Sequence, residues 1–395
     1  MIRRLKRRLA PTLIFWFWRI VAFFPLQRKT IVFESFHGKQ FSCNPKAIYE
    51  YMLMNYSDYR FYWSYDKRYQ AAFAGDVSLN LVRRFSLKWF WVLGTSKYLV
   101  TNSRMPSKMQ KPKRLVYIQT WHGTPLKKLA FDMDAVHMPG TTREQYLGRF
   151  YQESRNWDYL LSPNSYSSAI FKRAFQFEKE LVETGYPRND VLHLGDNAQH
   201  IQGLKHQLGL SLGKKIILYA PTWRDDDYHA IGKYKFDLPL DLERLQAEYG
   251  DECVVVLRMH YLVAEHFDLS KYEGFAYDMS QNVDINQLYL VADLLITDYS
   301  SVFFDYANLR RPMLFYMYDI DRYRDELRGF YFDIESEAPG PIVKNMTELS
   351  KCLNEFMEIG RFSSFEEQVQ KFYQQFCYLE DGGATARFVH RVMTG

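Results

Sequence analysis

The stretch Leu294-Leu295-Ile296-Thr297-Asp298-Tyr299-Ser300-Ser301-Val302-Phe303-Phe304-Asp305-Tyr306 decides the architecture. Its first three residues read as a strand, the hydroxyl and acidic residues after them as a turn, and the residues after Ser301 as an amphipathic helix. A strand with no polar face belongs to a parallel sheet covered on both sides by helices. The same short apolar run, ended by a polar turn, recurs at Ile31-Val32-Phe33, Tyr98-Leu99-Val100, Leu115-Val116-Tyr117-Ile118 and Tyr159-Leu160-Leu161. It returns at Ile216-Ile217-Leu218-Tyr219, Val254-Val255-Val256-Leu257 and Met313-Leu314-Phe315-Tyr316. The fold class is therefore α/β. With 395 residues the chain exceeds one ordinary core, and two doubly wound domains in tandem are expected. The polar stretch 197–215, with Gly203, Gly209 and Gly213, is the expected boundary, dividing 28–200 from 201–395.

Composition narrows the class. Hydrophobic residues at 47% and charged residues at 25% are globular values, and aromatics are heavy at 17%. The 4 cysteines, Cys43, Cys253, Cys352 and Cys377, include no close pair, which excludes a disulfide framework or zinc ribbon and fits a reducing compartment. The net charge of +5 divides unevenly. Residues 1–29 hold eight Lys/Arg and no acid, so the remainder carries 43 basic against 46 acidic residues. A body of that sign lacks the spread phosphate contacts of a nucleic-acid binder.

The basic cluster precedes Pro11-Thr12-Leu13-Ile14-Phe15-Trp16-Phe17-Trp18-Arg19-Ile20-Val21-Ala22-Phe23-Phe24-Pro25. This apolar run is short for a spanning helix, Arg19 interrupts it, and no small-residue cleavage site follows. Trp16 and Trp18 suit the headgroup boundary, and the cations suit anionic lipid. Residues 1–27 are thus expected to lie on an anionic membrane surface, a reading that fits length and charge better than a single span or a docked core helix.

Ligands of doubly wound sheets bind beyond the carboxyl ends of the strands, here in a cleft that the two domains would face. Each motif in this chain sits there. In Gln119-Thr120-Trp121-His122-Gly123-Thr124-Pro125-Leu126-Lys127-Lys128, Gly123 permits a turn that a side chain would obstruct, and Thr124 with Pro125 reads as a helix start. His122, beside that start and two lysines, is placed as a base working near an anion; a lone structural histidine would not need this setting. In Pro221-Thr222-Trp223-Arg224, Thr222 and Arg224 suit phosphate oxygens, although a buried interdomain Trp explains the turn as well. In Arg258-Met259-His260, strand alternation puts Arg258 and His260 on one side and Met259 in the core, a clamp for a pyrophosphate; the alternative is an acid-paired arginine and a solvent histidine. Thr297, Asp298, Ser300 and Ser301 precede a helix, whose free N–H groups attract phosphate. Capping alone would explain one of these serines, not the run. Asp225-Asp226-Asp227 reads as a solvated loop, and no acidic cluster has metal spacing, so neither metal nor cofactor is assigned.

Together these segments, with Arg328-Gly329-Phe330-Tyr331-Phe332-Asp333, closely resemble the CDP-glycerol glycerophosphotransferase family of teichoic acid synthesis, from about Ile31 to the end and in the right order. The resemblance implies a GT-B-like fold of two Rossmann-like domains at the cytoplasmic face of the cell membrane as a peripheral protein. It implies transfer of glycerol phosphate from CDP-glycerol to a lipid-linked acceptor hydroxyl, with CMP leaving. The family's essential histidines map to His122 and His260, one per domain. His122 is then the base on the acceptor side, with Gly123, Thr124 and Lys127, in the 28–200 domain. His260, Thr222, Arg224, Arg258, Thr297, Asp298, Ser300 and Ser301 hold the donor in the 201–395 domain. One departure is Tyr261, where many relatives carry proline after the histidine. Ribitol phosphate transfer from CDP-ribitol fits the same motifs. A GT-B glycosyltransferase or epimerase on a UDP-sugar would share the fold but not Trp121-His122-Gly123-Thr124-Pro125, and a non-catalytic membrane scaffold would leave the histidine motifs unexplained.

Overall fold

The computed structural model describes residues 17–18, 20–21, 23–75, 79–106, 109, 111–136, 141–222, 228–230, 233–234, 238–259, 268–281, 283–322 and 329–394. The chain divides into two compact units. The first comprises Met1–His122, Leu147–Arg188 and Gly383–Gly395, and the second Gly123–Tyr146 and Asn189–Gly382. The polar stretch 197–215 holds a helix, Ala198–Gln207, within the second unit.

In the first unit, β1 (Gln27–Glu34), β2 (Arg60–Tyr65), β3 (Leu81–Arg83), β4 (Ser96–Thr101), β5 (Val116–Gln119), β6 (Tyr159–Ser162) and β7 (Glu180–Glu183) form one parallel sheet ordered β3-β2-β1-β4-β5-β6-β7. Ile31, Phe33, Trp63, Val100, Ile118 and Leu161 are fully buried in its core. Much of the aromatic excess goes there: Trp63 stacks on Phe33 with centroids 5.7 Å apart. The last residues of the chain return to this core through Phe388 and Val389, a pairing with no local signature.

The second unit repeats the plan. Its strands are β8 (Lys215–Ala220), the small antiparallel pair β9 (Tyr228–Ala230) and β10 (Lys233–Tyr234), then β11 (Cys253–Leu257), β12 (Ala276–Asp278), β13 (Leu294–Thr297), β14 (Met313–Tyr316) and β15 (Ile342–Val343). Six of them form a parallel sheet ordered β12-β11-β8-β13-β14-β15. Counted within each sheet, the first six strands follow the order 3-2-1-4-5-6, the doubly wound arrangement. The order reverses between β1 and β4 in one sheet and between β8 and β13 in the other. Those are the two places where such sheets hold ligands.

All eight apolar runs are strands. The sequence reading does not include β2, β3, β7, β9, β10, β12 and β15, of which β3, β7, β12 and β15 are the edges of the two parallel sheets. An edge strand is paired on one side only and needs less apolar sequence; Glu180-Leu181-Val182-Glu183 is charged at both ends.

Most of the expected membrane segment, residues 1–16, 19 and 22, lies outside the described residues. Trp18 is a correction. Rather than reaching for headgroups it is buried, 5.9 Å from Phe90, with Val21 beside it against the helix Leu87–Thr95. A Cβ at Gly94 would lie 2.6 Å from the Val21 side chain, so the glycine is what lets this packing close. Ile20, Phe23 and Phe24 stay exposed. Among the described residues no helix is long and apolar enough to cross a membrane.

Candidate active site

The turn after β5 is held by side chains from three directions. Trp121 has φ of 50°, a left-handed conformation costly for a bulky residue, about 1–3 kcal/mol. Its N–H donates to Gln119 Oε1 at 3.0 Å, and Asn44 Nδ2 donates to the carbonyls of Thr120 and Trp121. The indole packs on Phe150, Phe171 and Phe175. A strained residue that its surroundings over-determine is a device for aiming its neighbour.

That neighbour is His122. Its ring stacks on Trp121 at 4.8 Å and meets the edge of Phe36 at 5.6 Å. Nδ1 lies 3.1 Å from the Asn102 carbonyl, which only accepts, so Nδ1 carries the proton and Nε2 is the acceptor nitrogen. The side chain keeps exposed surface, yet protein atoms crowd round it on the remaining sides, so it is recessed but reachable by water. That crowding, helped by the Arg188 guanidinium and opposed by the Asn102 carbonyl, lowers its pKa to about 4. The imidazole is neutral at pH 7, as a base must be before reaction.

Thr124 and Pro125 begin no helix. The chain instead runs extended, pairing Lys127 with Phe330 through a single bridge and donating from Lys128 N to the Gly329 carbonyl at 2.9 Å. Tyr331 closes this strap, its N–H donating to the Leu126 carbonyl and its hydroxyl to Asp132. His122 therefore stands beside no helix start. Gly123 has an ordinary φ, and its missing side chain serves close approach: a Cβ there would sit 2.8 Å from Ser301 Oγ, in the same unit. Gly123 and Thr124 are buried and Lys127 is half-buried.

At the second switch point Asp298, buried, accepts the Thr222 N–H at 2.7 Å, and the Thr297 hydroxyl donates to the Ala220 carbonyl at 2.7 Å. Thr297 and Asp298 thus brace β13 against β8 and shape the loop that carries Thr222. Ser300 and Ser301 are half-buried. Ser301 holds the N-cap position of Val302–Tyr306 without a capping side-chain bond, and that helix is only five residues long. Any attraction for anions here comes from hydroxyls and local N–H groups rather than a long helix dipole. Arg258 follows β11, half-buried, one guanidinium nitrogen donating to the Met279 carbonyl at 2.7 Å, while Met259 joins the core. Burial lowers the Arg258 pKa, and Asp284, Tyr289 and Asp278 oppose it. Arg224 and His260 lie outside the described residues, as do Asp225, Asp226, Asp227 and Arg328. Among the described residues no group of three His, Cys, Asp or Glu could hold a metal ion.

Asn102, Gln119 and Asn44 were not singled out from sequence as parts of the site. Asn102-Ser103 follows β4, whose last three residues are buried, so the rule that finds the other loops finds this one too.

Two doubly wound parallel sheets in tandem, each with a polar loop at its switch point, define a GT-B-like fold. Within that class the chain belongs to the CDP-glycerol:poly(glycerophosphate) glycerophosphotransferase family, whose model matches residues 16–394. It is 54% identical over 368 residues to a teichoic acid poly(glycerol phosphate) polymerase of Bacillus subtilis, 93% of this chain but 49% of that one, so it spans about half that relative's length. A teichoic acid glycerol-phosphate transferase of Staphylococcus aureus is 44% identical over 99% of this chain and 100% of its own. The solved wall teichoic acid polymerase TagF superposes with a TM-score of 0.88 at 41% identity, covering 100% of this chain and 97% of that one.

Proposed function

We propose that this protein transfers glycerol phosphate from CDP-glycerol to a hydroxyl of a lipid-linked teichoic acid acceptor. The observation that carries the reading is the His122 ring, whose Nδ1 is tied to the Asn102 carbonyl so that Nε2 is left as a proton acceptor at a strand end. The acceptor oxygen attacks the β-phosphorus, its proton passes to Nε2, the new O–P bond forms and the anhydride bond breaks. CMP leaves with the bridging oxygen. The second unit acts on the donor: Ser300, Ser301 and Thr222 hydrogen-bond the pyrophosphate, Arg258 and Arg224, with His260, hold its charge, and Thr297 and Asp298 hold the loop that carries Thr222. The first unit, which carries His122, receives the acceptor; the Gly123–Lys127 segment, expected with it, belongs instead to the second unit.

Membrane attachment on the cytoplasmic side is supported by the basic residues of 1–29 and by exposed apolar side chains in the first unit. Phe23 is 87% exposed, and Phe24 packs 4.6 Å from Trp91, one helical turn from the exposed Leu87.

The test is purified protein with CDP-glycerol, CDP-ribitol or a UDP-sugar and a lipid-linked acceptor, reading the released nucleotide. CMP release from CDP-glycerol with extension of the acceptor is expected. Preference for CDP-ribitol would reassign the polyol, and UMP or UDP release would overturn the reading. Flotation with anionic against neutral vesicles tests the attachment, and equal recovery from both would remove its electrostatic part.

A further inference from the structure

A pocket of about 340 Å³ opens in the first unit where the loops after β1, β3 and β4 meet. His37 comes from the loop after β1, Arg84 from that after β3, and Arg104 from that after β4. Arg149, from the helix Arg143–Ser154, completes its basic lining. The pocket lies at the β1/β4 reversal, the place where a doubly wound sheet takes its ligand. None of these residues belongs to the catalytic and donor groups assigned above.

The lining is built rather than incidental. Arg84 Nε donates to the buried Glu34 at 3.1 Å, and its guanidinium lies 4.6 Å over Phe85, which fixes its plane. Arg104 is held 5.1 Å over Phe150. The lining acid, Glu153, has its Oε1 taken by the Met105 N–H, the Tyr117 hydroxyl and the Trp157 indole, so it anchors the Arg104 loop. Phe36 and His37 both have left-handed φ, 47° and 60°, strain of the kind stored at ligand sites. Desolvation first, and then the positive charge of Arg84 and Arg104, lower the His37 pKa to about 4; the second part shows that the guanidinium groups act on this spot.

We propose that this pocket binds the phosphodiester anion of the acceptor, beside the hydroxyl that reacts. The proposal rests on the transferase reading. Acceptor rather than donor is favoured because all the pocket's lining residues belong to the first unit, whereas the donor-binding candidates belong to the second. Phe36, the residue before His37, meets the edge of the His122 ring at 5.6 Å, so the loop that lines the pocket adjoins the candidate base. A phosphodiester held there would position a terminal hydroxyl for deprotonation, the positioning that converts an encounter into a reaction.

The experiment pairs two readouts. In kinetics on the full chain, Arg104→Gln and Arg149→Gln should each raise the acceptor KM by roughly tenfold, since each removes a charge-assisted contact. The donor KM should stay within about twofold. Arg149→Lys should restore part of the loss. In titration calorimetry, glycerophosphoglycerol should bind the unmodified protein with a measurable heat, and should bind the Arg104→Gln/Arg149→Gln double variant weakly or not at all. Arg149 is exposed, so Arg149→Glu serves as the test should Arg104→Gln unfold the chain. A rise in donor KM instead would assign the pocket to the pyrophosphate, and unchanged constants would overturn it as a phosphate site. Absence of transfer from CDP-glycerol by the unmodified protein, with glycerophosphoglycerol still bound through Arg104 and Arg149, would sink the transferase reading and leave the pocket's chemistry standing.

Discussion

The turn after β5 and the turn after β13 both leave a buried parallel strand, and they are held in opposite ways. The first spends strain on one atom: a left-handed Trp121 is pinned by Gln119 and Asn44, and the Asn102 carbonyl selects which nitrogen of His122 bears the proton. The second has no left-handed residue from Thr297 to Ser301 and spends its bonds on the frame, through Thr297 to Ala220 and Asp298 to Thr222, with two half-buried hydroxyls beyond. One arrangement fixes the direction and protonation of a single lone pair, which suits catalysis. The other offers several donors on a braced backbone, which suits binding.

The largest effect expected from that difference is on His122→Ala, which should lower turnover by on the order of 10²–10⁴ while the CDP-glycerol dissociation constant stays put. Calorimetry and single-turnover assays read the two quantities separately. Lost donor affinity would place the ring on the donor and erase the contrast. Ser300→Ala with Ser301→Ala should do the reverse, weakening CDP-glycerol binding by roughly tenfold with the acceptor KM unmoved. An unmoved donor constant would leave the two serines as parts of the loop alone.

The pH profile sharpens the first half. Because the His122 pKa is lowered from 6.5 to about 4, the base stays neutral down to that pH, and the acid limb of kcat/KM assigned to it should fall near 4. A limb near 6.5, absent from His122→Ala, would mean the recess does not desolvate the ring. The sign for stability follows. The native state binds fewer protons than the unfolded chain between those values, so the contribution of His122 is present above 6.5 and is lost as pH falls toward 4.

The smallest effect concerns Gly123. Gly123→Ala places a Cβ 2.8 Å from Ser301 Oγ, a contact that serine rotation can partly relieve. A penalty of about 1 kcal/mol is expected, and Ser301→Gly in the same chain should recover it, because the two changes share one contact. Thermal melts of the unmodified protein, the two single variants and the double variant give the coupling. Additive losses would show that the glycine serves something other than the room Ser301 needs.

Eight strands were legible because a strand buried on both faces leaves an uninterrupted apolar run, as in Val254–Leu257, and no other element needs that in four residues. The places of chemistry were legible as well, since in a doubly wound sheet function follows strand ends and His122 sits at one. Local sequence misled at Thr124-Pro125, a sound helix start whose residues instead join the strap paired with Gly329–Tyr331, a partner about 200 residues away. It also placed Trp18 by its chemistry alone, where a complementary gap at Gly94 takes Val21 and the indole packs on Phe90 inside the protein. Asn44 and the arginine-lined pocket come from separate stretches that only the sheet order brings together, so no window of sequence displays them; Asn102 is legible as a strand-end residue, but its bond to His122 is not. Periodicity determines what a segment must bury, and that much the chain carried in itself. Which carbonyl meets which imidazole nitrogen depends on register between strands distant in sequence, and that was decided only when the sheets formed.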